Sequence, residues 1–267
     1  MDRLLKKQLE TIEKKEGRLN QKKGSRFVSQ NVAPLSDKIE DKIPPKLKRM
    51  LEEAFYKSFQ LVFEKGSKYI EMTYSKDKLQ LKYDLNNYAV DRKLIKKHLN
   101  NMDRPAGISN ITNSAISFVE GSALGLLGVG LADIPLFLSV VMKTVYEAAL
   151  SYGYEYESDQ EKYYVLHLIC GAMTKEEKQK EYGSKVDLLG EELDNGTVPE
   201  ISLEDQIKQT SDILSDSLLT AKFIQGLPIV GVVGGIVNYS ITSKIGKYAA
   251  MKYKKRYLLK KSRQMQK

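Results

Sequence analysis

The sequence predicts an all-α fold, a single-domain helical bundle in which two glycine-rich apolar helical segments pack together. Three observations lead there. Apolar residues recur at three- and four-residue spacing through several long stretches, the signature of helices with one buried face. Strand-like alternation is confined to one short run, Lys78 to Tyr83, too little to build a sheet. The two least charged stretches, 122–142 and 223–241, carry glycines at a spacing that lets helix backbones approach closely.

A chain of 267 residues can bury a sizeable core. Residues 1–43 are Lys-rich with few large apolar side chains, and are expected to form a mobile arm. Residues 44–260 are expected to form the helical domain, and 261–267 a basic tail end. Pro44-Pro45 marks a helix start, because a proline in the first turn removes only a donor that lacks a partner there. Leu47, Leu51, Ala54, Phe55, Phe59 and Val62 then place one amphipathic helix over 46–65. Residues 66–90 read as a connector or weak helix, and 91–102 as a short basic helix.

From Ser122 to Met142 the only ionisable group is Asp133. These 21 residues match the length of a bilayer span, about 20 residues. Asp133 and Pro135 argue instead for two helices with a break near 131–133. A mid-bilayer carboxylate costs on the order of 3 kcal/mol, and proline breaks the preceding turn. Asp133 is placed to cap the second helix, whose polar residues Ser139, Lys143 and Glu147 form a narrow stripe. That helix is expected to end at Tyr152-Gly153-Tyr154, with Gly153 in the left-handed conformation. Residues 161–173 read as a buried helix and 174–206, acidic and glycine-dotted, as a loop or insertion. Residues 204–223 read as an amphipathic helix, and a last helix runs from about Ile236 toward Leu259.

The net charge of +9 is concentrated at the ends. Residues 244–267 hold ten Lys or Arg and no acid, whereas 51–243 carry a net −8. With Tyr248, Tyr253 and Tyr257 interleaved, the basic end is expected to meet an anionic membrane surface through Lys252, Lys254, Lys255 and Arg256. A membrane protein is the other partner considered, and no specific nucleic acid is expected, since no nucleic-acid-binding motif is present. The N-terminus carries no apolar run of a secretory signal, and one cysteine excludes an internal disulfide. A single cysteine fits a reducing cytoplasm.

Chemistry-bearing motifs are sparse. Gly121, Gly125 and Gly128 share one helix face, as do Gly231, Gly234 and Gly235, which suits helix packing rather than phosphate binding. Asn238 could hydrogen-bond Asp133 if the two segments meet. His167 and Cys170 read as core residues, too few for a metal site, and no cofactor is expected.

Glu120-Gly121 through Gly125, Ala132-Asp133-Ile134-Pro135, Glu147, Tyr152-Gly153-Tyr154-Glu155 and Glu161 resemble the core signature of the EcsC family. Leu227-Pro228-Ile229-Val230-Gly231 and Gly234-Gly235-x-x-Asn238, followed by Ala249 and Arg256, resemble its C-terminal signature. Glu155 stands where that family commonly has aspartate, and Lys143 where arginine is frequent. The resemblance implies a bacterial protein of the cytoplasm, at the inner face of the cell membrane, and brings no catalytic residues, because the family's biochemical activity is not established. The leading expectation is a non-enzymatic, membrane-associated accessory protein linked to transport or secretion. Two rivals are a hydrolase-like enzyme using Asp133 and Glu161 as a buried carboxylate pair, and a carrier of a lipid or small apolar ligand.

Overall fold

A computed structural model of the chain describes residues 2–21, 44–66, 70–71, 74–103, 133–197, 199–224 and 235–266. These residues contain nine α-helices, one π-helical turn and no strand, so the all-α expectation holds.

The N-terminal arm departs from expectation over its first half. Residues Arg3–Gln21 form α1, and Leu5, Leu9 and Ile12 bury one side of it against the C-terminal helix. Three apolar residues at helical spacing suffice because the partner helix supplies the rest of the apolar surface. The second helix, α2 (Pro45–Leu61), starts at the two prolines, with Pro44 extended before it. It buries Leu51, Ala54, Phe55 and Phe59 and runs into a π-helical turn, Val62–Gly66.

The connector expected over 66–90 is largely helix. Ser75 caps α3 (Lys76–Arg92) by accepting from the Lys78 amide at 3.3 Å. The Lys78–Tyr83 alternation misleads because only Leu79 of its apolar residues is fully buried, while Leu81 faces out. A short break at 93–95 separates α3 from α4 (Lys96–Met102).

The most apolar helix is α5 (Asp133–Ser151), with Pro135 in its first turn, where a missing amide breaks no intrahelical bond. Its end is a Schellman motif. Tyr154 N–H donates to Ala149 O and Gly153 N–H to Leu150 O, both at 3.0 Å, with Gly153 at φ +76°. The glycine is required twice over, since a methyl group on it would also overlap the Tyr83 ring of α3.

Ser158 then caps α6 (Asp159–Met173), accepting from Glu161 N–H at 3.2 Å. The loop expected over 174–206 is instead mostly α7 (Glu176–Asp194), followed by α8 (Leu203–Ile224). Its glycines are helix contacts rather than turn residues. A Cβ on Gly183 would meet Tyr248 Oη at 3.4 Å, and one on Gly190 would meet Arg256 Cδ at 3.1 Å. Tyr182, Val186 and Leu189 bury the same helix.

The last helix, α9 (Gly235–Gln264), is about 45 Å long and is the axis of the bundle. It packs against α1, α5, α6, α7 and α8. Gly246 lies against Thr144 of α5, and Tyr257 near Tyr152 further along, so α5 and α9 run parallel. Gly171 against Tyr248, and Arg256 on Glu161, set α6 antiparallel to both. Tyr146, Tyr156, Tyr164 and Tyr253 are among the largest fully buried side chains, in a protein without tryptophan.

The expected packing of the two glycine-rich segments, with Gly121, Gly125, Gly128, Gly231 and Gly234, lies outside the described residues. So do the side chains of Asp133 and Asn238. Gly235 is the first residue of α9.

Candidate functional site

The charged end of α9 turns inward. Arg256 is 6% exposed and lies between the rings of Tyr154 and Tyr164, its guanidinium carbon 4.1 and 4.9 Å from their centroids. It donates to both carboxylate oxygens of Glu161, at 2.8 and 3.1 Å, and through Nε to Asp194 at 3.2 Å. Burial opposes the guanidinium charge, but hydrogen bonds and charge from Glu161, with Asp194 and its neighbours, move its pKa further upward. A planar fork matched to one carboxylate while stacked between two rings is an arginine-specific arrangement.

One turn earlier, a second cluster ties three helices. Lys252, only 2% exposed, contacts Glu16 of α1 at 2.6 Å and donates to Asp187 at 2.9 Å and Gly183 O at 3.0 Å, both on α7. Lys255 donates to the same two acids, Glu16 at 2.8 Å and Asp187 at 2.6 Å. Lys254 points the other way, to Asp103 at 2.6 Å, which also accepts from Tyr152 Oη at 2.7 Å. Lys261 pairs with Asp91 of α3 at 2.6 Å.

These contacts correct the expected lipid-contact set. Lys252, Lys254, Lys255 and Arg256 each pair with an acid of another element, Lys252 and Arg256 buried and Lys254 and Lys255 partly exposed. The 51–243 region carries the negative balance, so a basic terminal helix threaded through it is drawn inward.

Asp133 opens α5, whereas Glu161 sits beyond the far end of that helix, about 27 Å along the axis. Both Glu161 oxygens accept a hydrogen bond from Arg256. His167 and Cys170 are buried in the core. The Cys170 thiol lies 3.3 Å from Thr210 Oγ1, and burial pushes it up to about 12, so it carries negligible thiolate at neutral pH.

The stripe on α5 holds a carboxyl whose ionisation falls near neutral pH. Ser139 donates to Pro135 O at 2.7 Å, and Lys143 Nζ lies 3.9 Å from Glu147. Burial pushes the Glu147 carboxyl up to about 7, only partly offset by the Lys143 charge. Close by, Tyr146 stacks on Tyr156 at 3.8 Å, and Tyr156 Oη donates to Glu71 at 2.7 Å while meeting Tyr74 Oη at 2.6 Å. This is an ordered polar layer between α5 and the segment before α3.

Of the residues singled out in sequence, Tyr152, Gly153, Tyr154, Glu161 and Arg256 converge at one end of the bundle, with Pro135 and Asp133 at the other. The family model of the EcsC protein family matches residues 6–258. The chain belongs to the EcsC protein family. It is also similar to Protein EcsC of Bacillus subtilis (strain 168), 26% identical over 213 residues, 79% of each chain. No solved structure matches the chain.

For this EcsC-family chain, the acids that complete the clusters, Glu16, Asp103, Asp187 and Asp194, escape the sequence reading. A signal exists: Asp187, Glu191 and Asp194 recur at helical spacing on α7, as their partners do on α9. It is masked by Gly183 and Gly190, which read as loop punctuation. Glu71 and Tyr74 carry no periodic signal at all.

Proposed function

We propose that this EcsC-family protein is a non-enzymatic accessory protein held peripherally at an anionic membrane surface, where it serves transport or secretion machinery. The observation that supports this most is the outer face of α1. Arg3, Lys6, Lys7, Lys14, Lys15 and Arg18 are all exposed there, against the exposed acids Asp2, Glu10 and Glu13. The buried row Leu5, Leu9 and Ile12 fixes this face outward, so the charge is presented by the fold. Each cation near an anionic leaflet contributes about 1 kcal/mol, and salt screens it within a Debye length.

The long apolar stretch of α5, Ile134–Ser151, is long enough to cross a bilayer but is mostly buried between other helices, which suits a core helix. Attachment is therefore expected to be electrostatic. Sedimentation with phosphatidylglycerol vesicles, at low and high salt, tests the reading. Expected are binding at low salt, release by salt, and loss of binding when Lys6, Lys7, Lys14 and Lys15 are changed to glutamate. Failure of the unaltered protein to sediment at low salt would overturn it.

A further inference from the structure

We propose that the outward ridge of α3, formed by Leu81, Leu85 and Tyr88 and closed by Arg92, is a surface that inserts into the headgroup layer of an anionic bilayer. The inference takes only the anionic bilayer from the membrane reading above: α1 meets α9 through Lys252 and Lys255, whereas α3 meets it through Tyr257 and Lys261, so the ridge is a contact separate from the outer face of α1.

The three side chains are 59, 63 and 60% exposed, in a row one and two turns apart along a single helix face. The opposite face carries Leu79 and Val90, both buried, and Tyr83, seated on Gly153. The helix is thus already anchored to the bundle through its other side, and nothing in its packing requires leucines outside. Tyr88 and Arg92 form a joined pair: Arg92 Nε donates to Tyr88 Oη at 2.8 Å, with the guanidinium carbon 5.5 Å from the ring centroid. A tyrosine with its hydroxyl beside an arginine is the amphipathic combination favoured at the boundary between acyl chains and headgroups.

Charge chooses among occupants. Lys78, Arg92, Lys93, Lys96 and Lys97 are exposed around the ridge and on α4 just beyond it. The exposed acids are Asp77 and Asp84 on one flank, and Asp91, which is tied to Lys261. The cations gather at the end of α3 that leads into α4, so that end faces the anionic surface. A second copy of the chain would bring these like charges together. Three side chains also fall well short of the roughly 800 Å² per partner of a standard protein interface. A shallow wedge of two leucines and a tyrosine, rimmed by cations, fits lipid headgroups instead.

The absence of tryptophan gives a clean probe, because Tyr88→Trp in the full chain places the sole indole on the ridge. With phosphatidylglycerol vesicles its emission is expected to shift to the blue and to be quenched by acyl-brominated lipid, and with phosphatidylcholine vesicles to stay unchanged. Leu188→Trp, an exposed site on α7, is expected not to respond. Leu81→Ser with Leu85→Ser is expected to weaken vesicle binding about tenfold or more while leaving the melting temperature unchanged.

Three results would overturn the proposal. Unshifted emission from the Tyr88→Trp variant, while the protein still sediments with vesicles, would refute the ridge and leave the membrane reading standing. Emission from that variant already blue-shifted without lipid would show that the ridge is covered by the chain itself or by a second copy, and dilution would separate those two. No sedimentation of the unaltered protein would remove both.

Discussion

Helices α9 and α3 invert each other. The first carries the basic end of the chain, yet it buries Lys252, Arg256 and Lys261. The second is short and flanking, yet it exposes Leu81, Leu85 and Tyr88. Position decides the outcome. As the axis of the bundle, α9 meets helices on most sides, and each inward cation finds an acid: Glu16 of α1, Glu161 of α6, Asp187 and Asp194 of α7, Asp91 of α3. α3 packs on α4 and α5, meets α9 through Asn87 and Asp91, and leaves the side carrying Leu81, Leu85 and Tyr88 exposed. A charge is tolerated inside when its partners are built in, and apolar groups stay outside where no element covers them.

The largest expected effect lies on the inward side. Arg256→Leu leaves Glu161 buried without its cation and Asp194, at 3% side-chain exposure, with only the Arg263 cation at 3.6 Å, and should destabilise the fold by about 3–5 kcal/mol in urea titrations. Arg256→Lys is expected to recover only part of this, since an ammonium cannot reproduce the two-pronged grip on Glu161 between the tyrosine rings. Equal stability of the leucine variant would show that the network is dispensable and would break the comparison.

The next effect lies where α3 is anchored. Gly153→Ala imposes a side chain at φ +76° and drives a methyl group into Tyr83, with an expected loss of about 1–3 kcal/mol. Adding Tyr83→Ala to this variant relieves the overlap but not the backbone strain. The two changes should therefore be non-additive, and strict additivity would argue that Tyr83 does not rest on this turn.

The smallest effect sharpens what makes an inward charge acceptable. Glu147 is buried with the Lys143 ammonium at 3.9 Å, and its folded pKa is raised to about 7 from an ordinary 4.5. The folded state then binds more protons than the unfolded state between those values. Its contribution is fully present below about pH 4.5 and is lost as pH rises toward 7. Glu147→Gln removes the titration, so relative to the unaltered protein it should gain about 2 kcal/mol between about pH 5 and pH 7.5. A constant difference across that range in thermal melts would count against the raised pKa. Unlike Arg256, Glu147 is expected to remain inside by taking up a proton.

Legibility differs by region. Pro44 and Pro45, the Schellman glycine Gly153, and the apolar row Ile207, Leu214 and Leu218 announce their helices, because each is a local signal. α7 is hidden because Gly183 and Gly190 look like breakers until Tyr248 and Arg256 are seen resting on them. α1 is hidden because three apolar residues look too few until α9 is placed beside them. The direction of the α9 cations is misread for the same reason: a cationic run reads as a solvated or lipid-facing end until the acids that neutralise it are located.

The sequence by itself determined the class of fold, the family, and the bounds of the helices that carry local start and stop signals, since these follow from backbone geometry and periodicity within a dozen or so residues. Only the tertiary structure decided which charges are internal, which glycines are contacts, and which apolar residues stay outside. Those outcomes depend on pairs such as Glu16 with Lys252, or Asp91 with Lys261, separated by most of the chain and brought together by the bundle. A charge has no fixed environment until its partner is in place, and no local pattern specifies where that partner is.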